Sequence, residues 1–252
     1  MCLIAVAWQT HPDYPLMVLA NRDEFYDRPA ASAQFWEESP DVLAGRDLSA
    51  GGAWLGVTRQ GRFAALTNVR EPGMPLGVRS RGEVVSAYLL GNESPAAYSE
   101  RVKADGGHYS GFNLLASDGD SLWWSSNREA DPRQLGPGIY LLSNHLLDTP
   151  WPKVKRLRAG LMGLLPQTNA EAMLALLQDG QAAADSDLPD TGIGLAMERL
   201  LSPAFIRTPQ YGTRASTLVM AGHDRIGFIE QGYGPDGLLE RSEFAFDRQV
   251  IV

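Results

Sequence analysis

The order of predicted elements along the chain constrains the fold more than any other feature of the sequence. Apolar, β-rich segments come first, in the middle and last, and two helical blocks separate them. Strands and helices do not alternate strictly, so a doubly wound parallel sheet fits poorly. An α+β arrangement of two antiparallel sheets, with helices packed outside them, uses these elements well.

Two hairpins are predicted in the first part of the chain. The first joins residues 2–9 to 15–25 around a turn at His11–Asp13. The second joins the end of a glycine-rich stretch, 45–58, to residues 62–69 around Arg59–Gly61. Later strands are predicted at 112–118, 121–127, 138–144, 216–222, 225–233 and 243–247.

Helix starts are marked by residues that cap free backbone N–H groups. Ser80–Glu83 and Thr168–Glu171 have the spacing of capping boxes, and Ser94–Pro95 places a cap before a first-turn proline. The second helical block is predicted over 151–201. Its basic cluster is predicted to be mainly a solvated helix face that could attract an anionic ligand: Lys153, Lys155, Arg156 and Arg158.

Composition favours one folded domain over residues 1–252 in a reducing compartment. The net charge of −8 disfavours nonspecific binding to nucleic acid or anionic membranes, and no apolar run approaches the roughly 18 residues of a membrane span. The first residues lack the basic start of a signal peptide, and the single cysteine fits the cytoplasm. The four histidines are scattered along the sequence, so no metal site is predicted, and no cofactor-binding motif is present.

Cys2 is the residue on which chemistry is expected to centre. Removal of Met1 would expose its α-amine, whose ordinary pKa of about 7.7–8.0 suits a general base for its own thiol. Nucleophile and base would then come from one residue, with no histidine needed. The alternative is that Cys2 is a small buried residue opening a strand, because free cysteine is often buried.

A set of motifs then resembles one known family. Asn21–Glu24, about twenty residues after Met-Cys, is similar to the signature of the NRDE family, which includes the transport and Golgi organization protein 2 group. The resemblance extends over most of the chain, through 45–47, 51–56, 65–70, 143–144, 148–153 and 211–217. It implies the four-layer αββα sandwich of the N-terminal-nucleophile hydrolases and a layout similar to the cysteine acylases.

The resemblance also implies a site. Carried over residue by residue, it comprises Cys2 as nucleophile, Arg22 and Asp23 beside it, Asn68 and Asn144 as oxyanion donors, and Arg214 as a late arginine. Trp54, between glycines, is a candidate aromatic wall for ligand binding. Strand alternation points Arg22 and Asp23 to opposite faces, so the two share a site only if the strand ends or bulges there.

Two functions follow from these observations. The first is hydrolysis of, or acyl transfer from, a non-peptide amide or other acyl bond of a small molecule through a Cys2 acyl-enzyme. The second is a non-catalytic carrier on the same scaffold for haem, a lipid or an acyl-coenzyme A. Haem would need Cys2 or a histidine as its axial ligand.

Overall fold

A computed structural model describes residues 2–129 and 131–249 and confirms the predicted pair of antiparallel sheets. The strands are β1 (Cys2–Trp8), β2 (Leu16–Phe25), β3 (Ala30–Trp36), β4 (Ser39–Asp47), β5 (Leu55–Thr58), β6 (Phe63–Asn68), β7 (Phe112–Ser117), β8 (Leu122–Ser126), β9 (Arg133–Leu135), β10 (Gly138–Leu142), β11 (Tyr211–Ala221), β12 (Arg225–Gly234) and β13 (Gly237–Asp247). The helices are α1 (Gly82–Leu90), α2 (Pro95–Ala104), α3 (Pro152–Leu164), α4 (Ala170–Leu176) and α5 (Leu195–Leu200).

The sheets divide the strands unequally. One sheet has six strands in the order β10-β1-β2-β11-β12-β13, and the other has seven in the order β3-β4-β5-β6-β7-β8-β9. Alternate residues of β1 and β2 face either the space between the sheets or a helix layer. This is why both strands are buried almost throughout.

Helices cover the outer face of each sheet. The buried side chains of α1 and α2 pack on the seven-stranded sheet. Those of α3 and α4 pack on the six-stranded sheet. Together with the apolar core between the sheets, this confirms the four-layer αββα sandwich.

Most predicted elements are confirmed, with a few differences. The predicted hairpins form, and Ser94 accepts a hydrogen bond from the backbone N–H of Ala97 at the start of α2. The capping box at Thr168–Glu171 is wrong, because Asn169 caps α4 and Thr168 adopts a left-handed conformation (φ 45°). β3 and β9 lie wholly outside the predicted segments, and so do most of β4 and just over half of β13.

The helices are short. The longest, α3, has 13 residues. Across residues 2–129 and 131–249, no helix has the length and apolar character needed to cross a membrane.

Candidate active site

Strand ends from both sheets meet at one rim of the sandwich. Cys2 opens β1 directly opposite Arg22, near the end of β2. Ser143 and Asn144 follow β10, which pairs with β1 on its other side, and Asn68 ends β6 in the second sheet. Antiparallel pairing therefore gathers residues that are far apart in the sequence.

The alternation of β2 divides the NRDE segment between two faces, as predicted. Cys2 and Arg22 lie on the face of their strands that looks into the space between the sheets. Asn21 and Asp23 look toward the helix layer. All four residues are buried, and Arg22 and Asp23 both line the cleft that contains Cys2, because β2 ends two residues after Asp23.

Asn21 has a structural role. Its Nδ2 donates to the carbonyl oxygens of Leu177 and Ala204, each at 2.8 Å, and its Oδ1 accepts a 2.6 Å hydrogen bond from Ser216. The buried amide thus ties β2 to the end of α4, to the segment before β11 and to β11 itself.

Arg22 is held by an aromatic ring and a carboxylate. Its guanidinium lies over the ring of Trp54, 4.5 Å from the centroid, and donates to Asp47 at 3.4 Å. Asp47 also accepts a 2.6 Å hydrogen bond from Arg28 and two from the backbone that follows it. Burial raises the pKa of Asp47, but these hydrogen bonds outweigh that effect and hold the pKa below its ordinary value.

Asp23 lies in a buried polar cluster on the helix side. It accepts a 2.7 Å hydrogen bond from the Thr213 hydroxyl. Burial raises the pKa of this carboxyl, while Lys153 and Thr213 act in the opposite direction. Asp23 sits one residue beyond Arg22, the cross-strand partner of Cys2, and so stands beside the start of β1.

Lys153 is buried, so its assignment to a solvated basic face is wrong. It is only 1% exposed, in the first turn of α3, and its Nζ donates to the carbonyl of Leu201 at 3.1 Å. Burial lowers its pKa to about 8, against the opposing influence of Asp23 and Cys2. Lys153 shares one helix face with Leu157 and Leu161 at spacings of four, and that pattern could have located it in the core.

The two predicted asparagines have different surroundings. Asn68 lines the cleft that contains Cys2. Asn144 is fully buried, and its Nδ2 donates to the backbone carbonyl of Asn68 at 3.0 Å. Ser143 immediately precedes Asn144, and its Oγ lies 3.4 Å from the carbonyl oxygen of Cys2. Asn144 therefore positions Asn68 instead of pointing its amide into the cleft.

Arg214 lies apart from the thiol. It occupies an irregularity in β11, between the residues that pair with Asp23 and Arg22. Its Nη1 donates to three backbone carbonyls, those of residues 25, 26 and 28. It lines a neighbouring cavity of about 130 Å³ that shares Arg22 and Trp54 with the Cys2 cleft.

The Cys2 cleft has a volume of about 370 Å³. Its lining includes four arginines, Arg22, Arg28, Arg79 and Arg81, and also Glu24, Asp47, Trp54, Leu66, Leu76 and Val78. The Trp54 ring has room because Gly45 carries no side chain: a Cβ on Gly45 would lie 2.3 Å from the ring. The start of α1 reaches the cleft because Gly52 and Gly82 touch through their backbones, where a Cβ on Gly52 would approach Gly82 to 2.3 Å.

The environment of the thiol favours its neutral form at rest. Cys2 is 8% exposed, and burial raises the pKa of its thiol. The positive charge of Arg22 opposes this shift. Reaction at neutral pH would therefore depend on a base that takes the thiol proton.

Metal ligands are not gathered here. Within the described part of the chain, no three His, Cys, Asp or Glu side chains are placed to hold a metal ion. Four arginines and three carboxylates, those of Asp23, Glu24 and Asp47, line the cleft, and the guanidinium groups suit anionic atoms of a ligand.

Sequence comparison identifies the family. The model for transport and Golgi organisation 2 matches residues 1–235. Transport and Golgi organization protein 2 homologs from Bos taurus and Homo sapiens are each 36% identical over 255 residues, with 92% of this chain and 92% of each relative covered. The Drosophila melanogaster protein is 26% identical over 284 residues, with 99% of both chains covered. The family predicted from the motifs is confirmed.

Solved structures give a weaker likeness. A conjugated bile acid hydrolase variant from Clostridium perfringens has a TM-score of 0.49 and 7% identity, with 100% of this chain and 99% of that chain covered. A Caenorhabditis elegans ortholog of N-acylethanolamine-hydrolyzing acid amidase has a TM-score of 0.43 and 11% identity, with 87% and 92% covered.

Proposed function

The chain belongs to the transport and Golgi organisation 2 family, and we propose that it is an N-terminal-nucleophile hydrolase that cleaves a non-peptide amide or other acyl bond through Cys2. One observation carries the proposal. The only cysteine of the chain opens a strand at the wall of a 370 Å³ cleft, directly opposite a buried arginine.

The proposed reaction begins with removal of Met1, which leaves Cys2 with a free α-amine. This amine takes the proton of the thiol, and the thiolate attacks the substrate carbonyl. The C–N or C–O bond of the substrate breaks, and the protonated amine returns its proton to the leaving group. Water then hydrolyses the thioester and restores the thiol.

Several neighbours support these steps. Asp23 lies beside the start of β1, where its carboxylate can hold the α-ammonium. The Asn68 amide can donate to the developing oxyanion, and Asn144 fixes the Asn68 backbone. Arg22 favours the thiolate because it counters the effect of burial on the Cys2 pKa.

The test is the intact mass of the purified protein before and after exposure to a β-lactam. We expect loss of Met1 and one acyl adduct, which the single cysteine places without ambiguity. Cys2→Ala should give no adduct, and Cys2→Ser should react far more slowly. Retention of Met1 with no adduct would overturn the self-activating mechanism, and an adduct of equal yield on Cys2→Ala would overturn the assignment of the nucleophile.

A further inference from the structure

The charge balance of the Cys2 cleft is uneven. Three of its four arginines have a carboxylate partner: Arg22 and Arg28 share Asp47, and Arg79 pairs with Glu83. For Arg81, no carboxylate lies within 4.0 Å among residues 2–129 and 131–249.

Arg81 is also held in place. It precedes α1, and its Nη1 donates to the carbonyl of Gly111 at 3.2 Å. The guanidinium is largely buried, and burial lowers its pKa. A desolvated guanidinium with one backbone acceptor retains free N–H donors, and such donors suit a carboxylate or phosphate.

The cleft mouth is apolar beside this charge. Leu76 and Val78 line the cleft, yet each is 86% exposed. Both belong to the segment that connects β6 to α1, close in sequence to Arg81. Exposed apolar side chains grouped at the mouth of a cleft mark a contact for an apolar ligand surface.

We propose that the cleft binds an anionic amphiphile, with its carboxylate or phosphate on Arg81 and its apolar chain along Leu76 and Val78. The proposal deepens the function given above and rests on it for the place of the reacting acyl carbon at Cys2. Glu24 lines the same cleft and lies within electrostatic range of Arg81, so it disfavours anions of higher charge.

Binding is tested separately from chemistry, in Cys2→Ala protein. The probes are decanoate, decyl phosphate and the neutral decanol, each below its micelle concentration and titrated by calorimetry. We expect at least one anionic probe to bind about 10-fold or more tightly than decanol. Addition of Arg81→Gln should weaken that probe by about 10- to 100-fold, the range for a charged hydrogen bond, and leave decanol unchanged.

Three further variants sharpen the result. Arg81→Lys should retain the preference for the anion, and Leu76→Ser with Val78→Ser should weaken all probes that bind. Arg101→Gln, on α2 and paired with Glu93, makes the same charge change elsewhere and should alter nothing. Equal affinity for anions and decanol, or unchanged anion binding in Arg81→Gln, would overturn the proposal. Because Cys2 is absent from every sample, these outcomes do not depend on whether the wild type forms an acyl adduct.

Discussion

The side chains of Cys2 and Arg22 stand directly opposite each other on neighbouring strands and look into the same space between the sheets. Arg22 is fixed there by Trp54 on one side and Asp47 on the other. The guanidinium therefore stays near the thiol without needing a substrate to hold it.

Arg22→Met should slow alkylation of Cys2. Without this positive charge, burial and the negative charges of Asp23 and Glu24 raise the pKa of the thiol further, and less thiolate is present at pH 7. One pKa unit corresponds to about a 10-fold slower reaction. The rate with iodoacetamide as a function of pH measures this change, and Arg22→Lys should largely restore it. An unchanged profile in Arg22→Met would show that the charge does not act on the thiol.

Asn68→Ala should mainly slow the reaction at Cys2, whereas Asn144→Ala should mainly lower the stability of the fold. Loss of the Asn68 amide should slow adduct formation by about 100-fold, the usual cost of one oxyanion donor, with little loss of stability. Loss of the Asn144 amide leaves the Asn68 carbonyl without its donor and should lower the free energy of unfolding by about 1–3 kcal/mol. Adduct kinetics and urea denaturation of both variants make the comparison. Equal effects on both measurements would refute the division of roles.

Asn21→Ala should destabilise the fold. It removes two donated hydrogen bonds and one accepted hydrogen bond from a buried site, so a loss of about 3 kcal/mol is expected. Urea denaturation measures it, with exposed Asn92→Ala as the matched control. At temperatures where the variant remains folded, its reaction with an acyl electrophile should match that of the parent.

Lys153 should make stability depend on pH. Its pKa is about 8 in the folded chain and near 10.5 when unfolded, so unfolding takes up a proton between these values. Above pH 10.5 the lysine is neutral in both states, so the folded chain is stabilised relative to lower pH. This stabilisation is lost as the pH falls through 8, because the folded chain must then bury a charged lysine. The size is on the order of 3 kcal/mol.

The comparison uses Lys153→Met. The stability advantage of this variant over the parent should shrink from pH 8 to pH 10.5, as followed by chemical denaturation. Lys155→Met, on the exposed side of the same helix, should keep the pH dependence of the parent. A constant difference between parent and Lys153→Met across this window would contradict the burial of a titrating lysine.

The fold was predictable because its strongest signals are local. Continuous apolar, β-rich runs locate β1 and β2, and Ser94 before a proline locates α2. The sequence does not predict β3, because half-exposed residues blur its alternation, or β9, because it has only three residues. Glu171, three residues after Thr168, predicts Thr168 as the cap, yet Asn169 competes for the same role and provides the cap.

The site was predictable only in part. Cys2, Arg22 and Asp23 carry motif signals, but the partners that hold them come from distant segments. Asp47 lies within a motif, although nothing in the sequence says which arginine it binds. Lys153 has basic neighbours in the sequence, which predict an exposed side chain, and only its helical spacing from Leu157 indicates that it is buried in the core.

The backbone contact between Gly52 and Gly82 sets the width of the cleft independently of the side chains that line it. Gly52 follows Asp47 on one wall, and Gly82 follows Arg81 on the other. Because backbone atoms of the two walls are in contact, a substitution of a lining side chain does not change the distance between the walls. A relative could thus acquire a different ligand preference at Arg81 while the distance from that position to the thiol stays constant.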